Sequence, residues 1–498
     1  MIRKFDENIQ HLLAQVLRFV PVETPIFLVG GAIRDVLLQR TIKDIDIIIN
    51  GEIKPIFSRL RRSLNAQAFM LDDERQTGRI IHHISEDTII TIDLVKMNQF
   101  GLVTDLSERD FTVNAIALDL HHPEQWFDPL NGINDLEQKI LRCCSDRSMI
   151  LDPLRILRGI RFSLGYQMEI EENASILMKA ETENLVKVSS ERVRDELFKI
   201  LQSGFPMKGM QLMDELGCIG PILPELMALK KVPAVKPHVL ALWDHSLKVM
   251  ENLNLIVLGL ISIQQQSQNP NKYLEKCILT LMIYSEPFQA LFSKEFPENR
   301  TRHGLLLLAA LFHDTGKPAK TILGTDQRMH FYGHENESSR LVFDRAKALC
   351  ISRQEVDYLV RVVKNHMRVH FLAMSKDPFT ERAIHRFFRD TGEIGLDICL
   401  LTMADLLATY EGTLSEGQFE NELNVVVRLL EGWFNKNDSI VAPPKVLDGN
   451  DIQVIFSLPP GPLLKEILTS LHEAQAVNEV RTKDEAIGFV RQFLSRKP

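Results

Sequence analysis

The stretch FLVGGAIRDVLLQRTIKDIDIII, Phe27 to Ile49, limits what this 498-residue chain can fold into more than any other segment. An apolar run breaks into Gly30-Gly31, passes through a helical pattern carrying Arg34-Asp35, and resumes as an isoleucine-rich strand carrying Asp44 and Asp46. Glycine after a strand lets the backbone approach a ligand closely, and the N-terminus of the following helix offers free N–H groups to an anion such as phosphate. Taken alone, such turns more often use glycine for geometry. In a strand, residues two apart face the same side, so Asp44 and Asp46 project together with Cα atoms roughly 6.5–7 Å apart, while Ile45 and Ile47 face the other way. Two carboxylates so placed suit Mg²⁺, and paired ions about 3.5–4 Å apart stabilise both oxygens of a phosphoryl-type displacement. A bare DxD is more often two solvated acids on an edge strand. The glycine turn upstream and a third strand acid, Asp93 in TIDLV, shift the balance toward metal binding.

The organisation of the chain follows from periodicity. IFLVGG, DIDIIIN, QAFMLDD, RIIHHI and TIITIDLV read as strands, and AIRDVLLQR and IFSRLRRSL have helical spacing. From DPLRILRGIRFSL onward the strand signal fades into amphipathic helices, which predicts an α+β chain: a small α/β head with a mixed sheet on a long all-α body. Prolines suggest breaks at KKVPAVKPH (230–238) and NKNDSIVAPPKVL (435–447), and the polar IQQQSQNPNKYL reads as an exposed connection. The N-terminal MIRKFDENIQHLLAQVL has charges where a signal peptide needs an apolar core, and no later segment offers a long uncharged span, so no membrane partner is expected. Six cysteines without a CxxC pair fit neither a disulfide framework nor a zinc ribbon, which suits a reducing cytoplasm. A net charge of -8 argues against general nucleic-acid affinity and confines any polyanion to a local basic surface.

LVGGAIRDVLLQRTIKDIDI closely resembles the catalytic motif of bacterial-type (class II) tRNA nucleotidyltransferases and poly(A) polymerases, which build or repair the CCA end of tRNA or add A tails. The resemblance implies that Gly30, Gly31, Arg34 and Asp35 handle the triphosphate and its surroundings and that Asp44 and Asp46 are the catalytic Mg²⁺ ligands, with Asp93 a weaker candidate. SERDFTVNAIALDL resembles the ribose- and base-contacting motif and implicates Arg109, Asp110 and Asn114. LDPLRILRGIRFSLGY resembles the nucleotide-selecting segment, in which an aspartate and an arginine read the base edges of CTP and ATP; here these are Asp152 and Arg155, expected on one helix face. Arg158 and Arg161 extend that face toward phosphates, or form a solvated basic face. SSERVRDELFKIL resembles the neck helix, with Glu191 and Arg192 expected to pack and cap. Three departures stand out: Glu108 where the family usually has arginine, Leu151 where it often has glutamate, and the brief KMNQFGLVT between Val95 and Asp105 where many full CCA-adding members carry a longer loop. Addition of CC alone, of the terminal A alone, and of A tails therefore stay open beside full CCA addition.

A second constellation lies in the body: His245 in LWDHSLKVM, the adjacent His313-Asp314 in LAALFHDTGKP, and Asp405 in LTMADLLAT. Imidazole and carboxylate together suit a divalent metal of unspecified identity. The ordered set resembles the HD family of metal-dependent phosphohydrolases, whose four ligand positions it fills; His334 and His366 fall where two-metal members place further ligands. The C-terminal PPKVLDGNDIQVIFSLPPGPLLKEIL and RTKDEAIGFVRQFL resemble the tail of long, HD-containing members, with a packing or tRNA-contacting role. The expected division is a head over 1–145, a helical neck over 146–235, an HD domain over 236–430 and a tail over 431–498. The leading expectation is a template-independent transferase joining CTP or ATP to tRNA. A phosphohydrolase with a vestigial head, and an RNA-binding module without catalysis, are the competing readings. Oligomeric state is not legible.

Overall fold

The computed structural model describes residues 5–74, 76–84, 88–262, 271–296, 300–324, 329–375 and 379–496. Most of the polar stretch expected as an exposed connection, residues 263–270, lies outside them. The chain divides into two compact units, one of residues 1–196 with 212–221 and one of 197–211 with 222–498.

The first unit is built on a seven-stranded mixed sheet in the order β3-β4-β5-β2-β1-β6-β7. The strands are β1 Ile26–Val29, β2 Asp44–Ile49, β3 Gln67–Asp72, β4 Thr77–His83, β5 Ile89–Lys96, β6 Ala117–Asp119 and β7 Trp126–Phe127. Only β2 and β5 pair in parallel; the other neighbours are antiparallel. The first five strands and the helices Gly31–Leu37 and Ile53–Ser63 are the expected ones. Alternation along β2 sends Ile45, Ile47 and Ile49 into a core shared with Ile53, Phe57 and Leu60 of the second helix and with the helix Glu7–Leu17. A second core on the other face, around Phe27, Val29, Ile48, Leu106 and Ala117, covers the β1 side of the sheet. After the sheet come helices, among them Arg155–Tyr166, whose buried face carries Ile156, Leu157, Ile160 and Phe162.

The second unit is almost entirely helical. Helices Leu242–Ile261, Arg302–Phe312 and Ile394–Thr409 are apolar on most sides and form its interior. Buried charges there are paired: Arg300 with Glu355 (2.5 and 2.8 Å) and Arg302 with Asp397 (3.0 and 2.5 Å), which also accepts from the Tyr358 hydroxyl. Pairing of this kind offsets a desolvation cost that an isolated buried charge would carry in full. Residues 447–494 have a small core of their own, centred on Leu447, Ile467, Leu471 and Val490. Among the described residues, no helix is long and apolar enough to cross a membrane.

Candidate functional site

In the head, the turn after β1 leads directly to the paired acids. Gly30 has φ +75°, a conformation that L side chains rarely adopt. A Cβ there would sit 2.6 Å from the Arg109 guanidinium and 2.9 Å from Asp46 Oδ2. The positive φ favours glycine at position 30, and a larger side chain would also displace the ends of Arg109 and Asp46, whereas Gly31 is in ordinary contact distance of its surroundings and has no such constraint. Asp44 is exposed and Asp46 half-buried on the same side of β2. Burial pushes the Asp46 carboxyl above its ordinary value, with neighbouring Asp93 and Asp44 adding to the effect and Arg109 opposing it. Carboxylates that repel one another at the edge of an open face are the hard oxygen donors a small divalent cation prefers, so the pair fits such an ion. Asp93 lies beside Asp46 in the parallel register, but its carboxylate is held by both prongs of Arg79, at 2.9 and 2.7 Å.

Several residues expected to contact the nucleotide are bonded to one another in a partly buried chain. Arg34 donates to Asp35 (2.9 Å) and to Asn114 Oδ1, and its guanidinium stacks over the Tyr166 ring at 4.3 Å. Asn114 donates to Asp110 Oδ1 at 2.9 Å, and Arg158 donates to Asp110 Oδ2 at 2.9 and 2.7 Å. Tyr166 closes the circuit by donating to Asp35 at 3.1 Å. Burial works to raise the Asp110 carboxyl, but Arg158 and the Asn114 amide outweigh it and hold the group below the usual carboxylate range. The network ties helix Arg155–Tyr166 to the Gly30 turn. Arg34 is thus buried among these partners, and the partly exposed Arg158 side chain is paired with Asp110. Arg161 is likewise occupied, by Glu196 at 2.7 Å.

The expectation that Asp152 and Arg155 share a helix face is corrected. Asp152 is extended (φ -152°, ψ 103°), between helices Ser148–Leu151 and Arg155–Tyr166. The cause is Pro153, whose ring disfavours helical geometry in the preceding residue. The Asp152 carboxylate accepts from Leu154 N and pairs with Arg192 at 2.7 Å, so Arg192 is a partner of Asp152, a role beyond the packing and capping read for it. Arg155 grips three backbone carbonyls, of Glu108 (2.8 Å), Arg109 (3.1 Å) and Ser148 (3.1 Å), and thereby fixes the segment that carries Arg109 to the Gly30 turn. Of the base-contacting motif, only Arg109 is directed at the acids.

In the helical unit, the second constellation assembles as expected. Asp314 stands between two groups: Oδ2 is 3.6 Å from His245 Nε2 and 3.3 Å from His313 Nε2, and Oδ1 is 3.2 Å from His334 Nε2 and 3.8 Å from His366 Nε2. Asp405 Oδ1 lies 3.2 Å from His245 Nε2. His313, His334 and His366 each donate Nδ1–H to a carbonyl three residues earlier, of Ala310, Phe331 and Val363. Those bonds fix the tautomer and leave each Nε2 lone pair aimed inward, the arrangement of a metal-ligating histidine. Two such nitrogens, of His334 and His366, face each other at 3.3 Å, and Asp314 Oδ2, close to both His245 and His313, is ion-paired with Lys317 Nζ at 2.5 Å. Imidazole nitrogens gathered around a buried carboxylate are a donor set that suits a divalent cation. Burial opposes ionisation of Asp314 and Asp405, yet His313 and Lys317 at the first, and His245 and His370 at the second, hold both far below the usual range.

Sequence reading missed three residues here. His370 bridges Asp405 (2.9 Å) and Glu422 (2.6 Å); burial alone would lower it, but the two carboxylates push it up to about 10. Lys317 Nζ lies 2.5 Å from Asp314 Oδ2 and 3.1 Å from His238 Nε2, whose ring meets that of His245 edge-on. The spacing of His366 and His370 in HMRVH was a usable signal for His370; His238, in a proline-rich connection, had none.

Comparison with known proteins agrees with the head. The family described as poly A polymerase head domain matches residues 26–142, and that described as "Probable RNA and SrmB-binding site of polymerase A" matches residues 167–230. An A-adding tRNA nucleotidyltransferase of Deinococcus radiodurans is 28% identical over 481 residues, 95% of this chain and 96% of the relative. A CC-adding tRNA nucleotidyltransferase of Geobacter sulfurreducens is 25% identical over 469 residues, 94% of this chain and 91% of the relative. The solved structure of the Thermotoga maritima CCA-adding enzyme complexed with tRNA matches 99% of this chain and 97% of its own at a TM-score of 0.61 and 20% identity, a likeness of fold.

Proposed function

Because the chain belongs to the tRNA nucleotidyltransferase and poly(A) polymerase family, we propose that it joins C, A or both to the 3′ end of tRNA, using CTP and ATP. The observation that carries this reading is the Gly30 turn, where a glycine at positive φ sets backbone, the Asp46 carboxylate and the Arg109 guanidinium around one point. Asp44 and Asp46 would hold Mg²⁺, which when bound supplies Lewis acidity for attack of the 3′-hydroxyl on the α-phosphorus and departure of pyrophosphate. The chain's own part is positioning. Gly30 admits the phosphates, Arg109 balances their charge, and Arg155 holds the backbone that carries Arg109. Asp152, its carboxylate held by Arg192, would read a base, and Gly31, Asp35 and Arg161 would contribute around the triphosphate. Both relatives aligned along nearly the whole chain make only part of CCA. The connection from β5 to the helix Leu102–Ser107 is also only residues 97–101. Both facts favour a partial CC- or A-adding enzyme over full CCA addition. Such work belongs in the cytoplasm. The test is incorporation of labelled CTP or ATP into tRNAs ending before CCA, after one C and after CC: partial extension is expected, and no extension of any of them refutes the reading.

A second reading concerns the helical unit, and the Asp314-centred donor set favours it. We infer that the HD-like region over 236–430 binds up to two divalent ions through His245, His313, Asp314, Asp405, His334 and His366, and hydrolyses phosphoesters, next to a neck over 146–235 and a tail over 431–498 that serve RNA contact and packing. Metal analysis of the purified protein and hydrolysis of a chromogenic phosphodiester test it; protein that retains no divalent metal after metal loading and desalting rules it out.

A further inference from the structure

The open face of the head sheet carries a row of side chains beyond the metal-binding pair. Register places Asp46 of β2 beside Asp93 of β5, Asp93 beside Arg79 of β4, and Arg79 beside Phe69 of β3. Partners in register share a face, so two acids, an arginine and a phenylalanine run in line across the sheet. Strand spacing puts Phe69 roughly 14 Å from Asp46. The Arg79 side chain is 40% exposed, and both bonds to Asp93 use Nε and Nη2, leaving Nη1 without a hydrogen bond among the described residues. Phe69 is 48% exposed, and Leu71, next along the same face, equally so. On the opposite face the same strands are tightly packed: Ile80 and Ile92 are core residues, and a Cβ on Gly78 would strike the Phe57 ring at 2.7 Å.

Two properties of this row fit a nucleotide. A guanidinium held flat by a carboxylate keeps its outer edge in place for an anion, and the fork geometry matches phosphate. An exposed aromatic one strand further offers any base a stacking surface. The acids at one end repel a free phosphate, so the phosphate position falls to Arg79. We propose that Arg79 and Phe69 form a nucleotide-binding subsite beside the catalytic acids, Arg79 taking a phosphate and Phe69 a base, with Asp93 the tether that orients Arg79 and not a metal ligand. The assignment rests on the transferase reading. Two sources carry this chemistry: the incoming nucleoside triphosphate and the terminal nucleotides of the RNA acceptor.

The experiment uses the full-length protein with Mg²⁺. Initial rates of incorporation are measured with one substrate saturating and the other varied, for wild type, R79Q, F69A, D93N and the control D46N, with thermal melting as the check on folding. R79Q and F69A are expected to raise the KM of one substrate roughly 5-fold or more while kcat stays within about threefold. A rise confined to RNA assigns the acceptor strand, and a rise confined to the triphosphate assigns the incoming nucleotide; either supports the subsite. D93N should give a milder form of the R79Q effect. If R79Q melts early, R79K, which keeps the charge and loses the fork, carries the same comparison. Unchanged KM values for both substrates in R79Q and F69A would overturn the subsite, and loss of incorporation in D93N as complete as in D46N would make Asp93 a metal ligand. Failure of the transferase reading looks different, since wild type itself would then be inactive.

Discussion

Gly30 answers to two demands at once, a left-handed backbone and two charged neighbours where a Cβ would stand. Substituting alanine costs about 1–3 kcal/mol of strain and displaces either Asp46 or Arg109. G30A is therefore expected to melt at lower temperature and to lose at least about 10-fold in incorporation, while G31A, free of both demands, stays near wild type; parallel melting and rate measurements check the contrast. Asp110 makes a prediction about pH. Its carboxyl is held below the ordinary value of about 3.9, so its ionised form stabilises the fold fully above that value, and the contribution is lost as pH falls through the lower folded value. D110N should be less stable at neutral pH by about 1–3 kcal/mol and lose less than wild type below about pH 4, which urea unfolding at a series of pH values would show.

At the level of elements, β1 to β5 and their two helices were legible because alternation and the 3.6-residue period are strong over four or more residues. Strands β6 and β7, of three and two residues, carry too little pattern to be read and exist because β1 offers an edge to β6, and β6 in turn to β7. The helix expected through Asp152 breaks on a local rule, since Pro153 disfavours helical geometry in the residue before it. The resemblance named Arg34, Asp110, Asn114 and Arg158 in three separate motifs; sequence could not show that they bond one another and pin helix Arg155–Tyr166 to the glycine turn. Arg155, gripping three carbonyls, is the residue through which that helix acts on Arg109. R155K, which replaces a rigid fork by one ammonium, should lower kcat/KM roughly 10–100-fold with little change in melting temperature, and equal activity would remove Arg155 from the positioning role.

At the level of the molecule, two compact units each hold one constellation of candidate metal ligands, and their chemistries are separable by substitution. Asp314 faces both histidine groups of the helical unit, so D314N should abolish tight divalent-metal retention, whereas H334A should leave the His245, His313 and Asp314 group able to bind; metal analysis after desalting distinguishes them. Neither change should alter nucleotide incorporation. The central claim is that Asp44 and Asp46 perform nucleotide transfer to RNA, and one comparison tests it most directly: sequencing the 3′ ends of tRNAs ending before CCA, after one C and after CC, incubated with CTP, ATP and Mg²⁺ and either wild type or the D44A/D46A variant. The account predicts that wild type extends at least one of these ends and that the variant extends none, with incorporation down roughly 100-fold or more while metal retention by the helical unit is intact. Extension by the variant at the wild-type rate would contradict it.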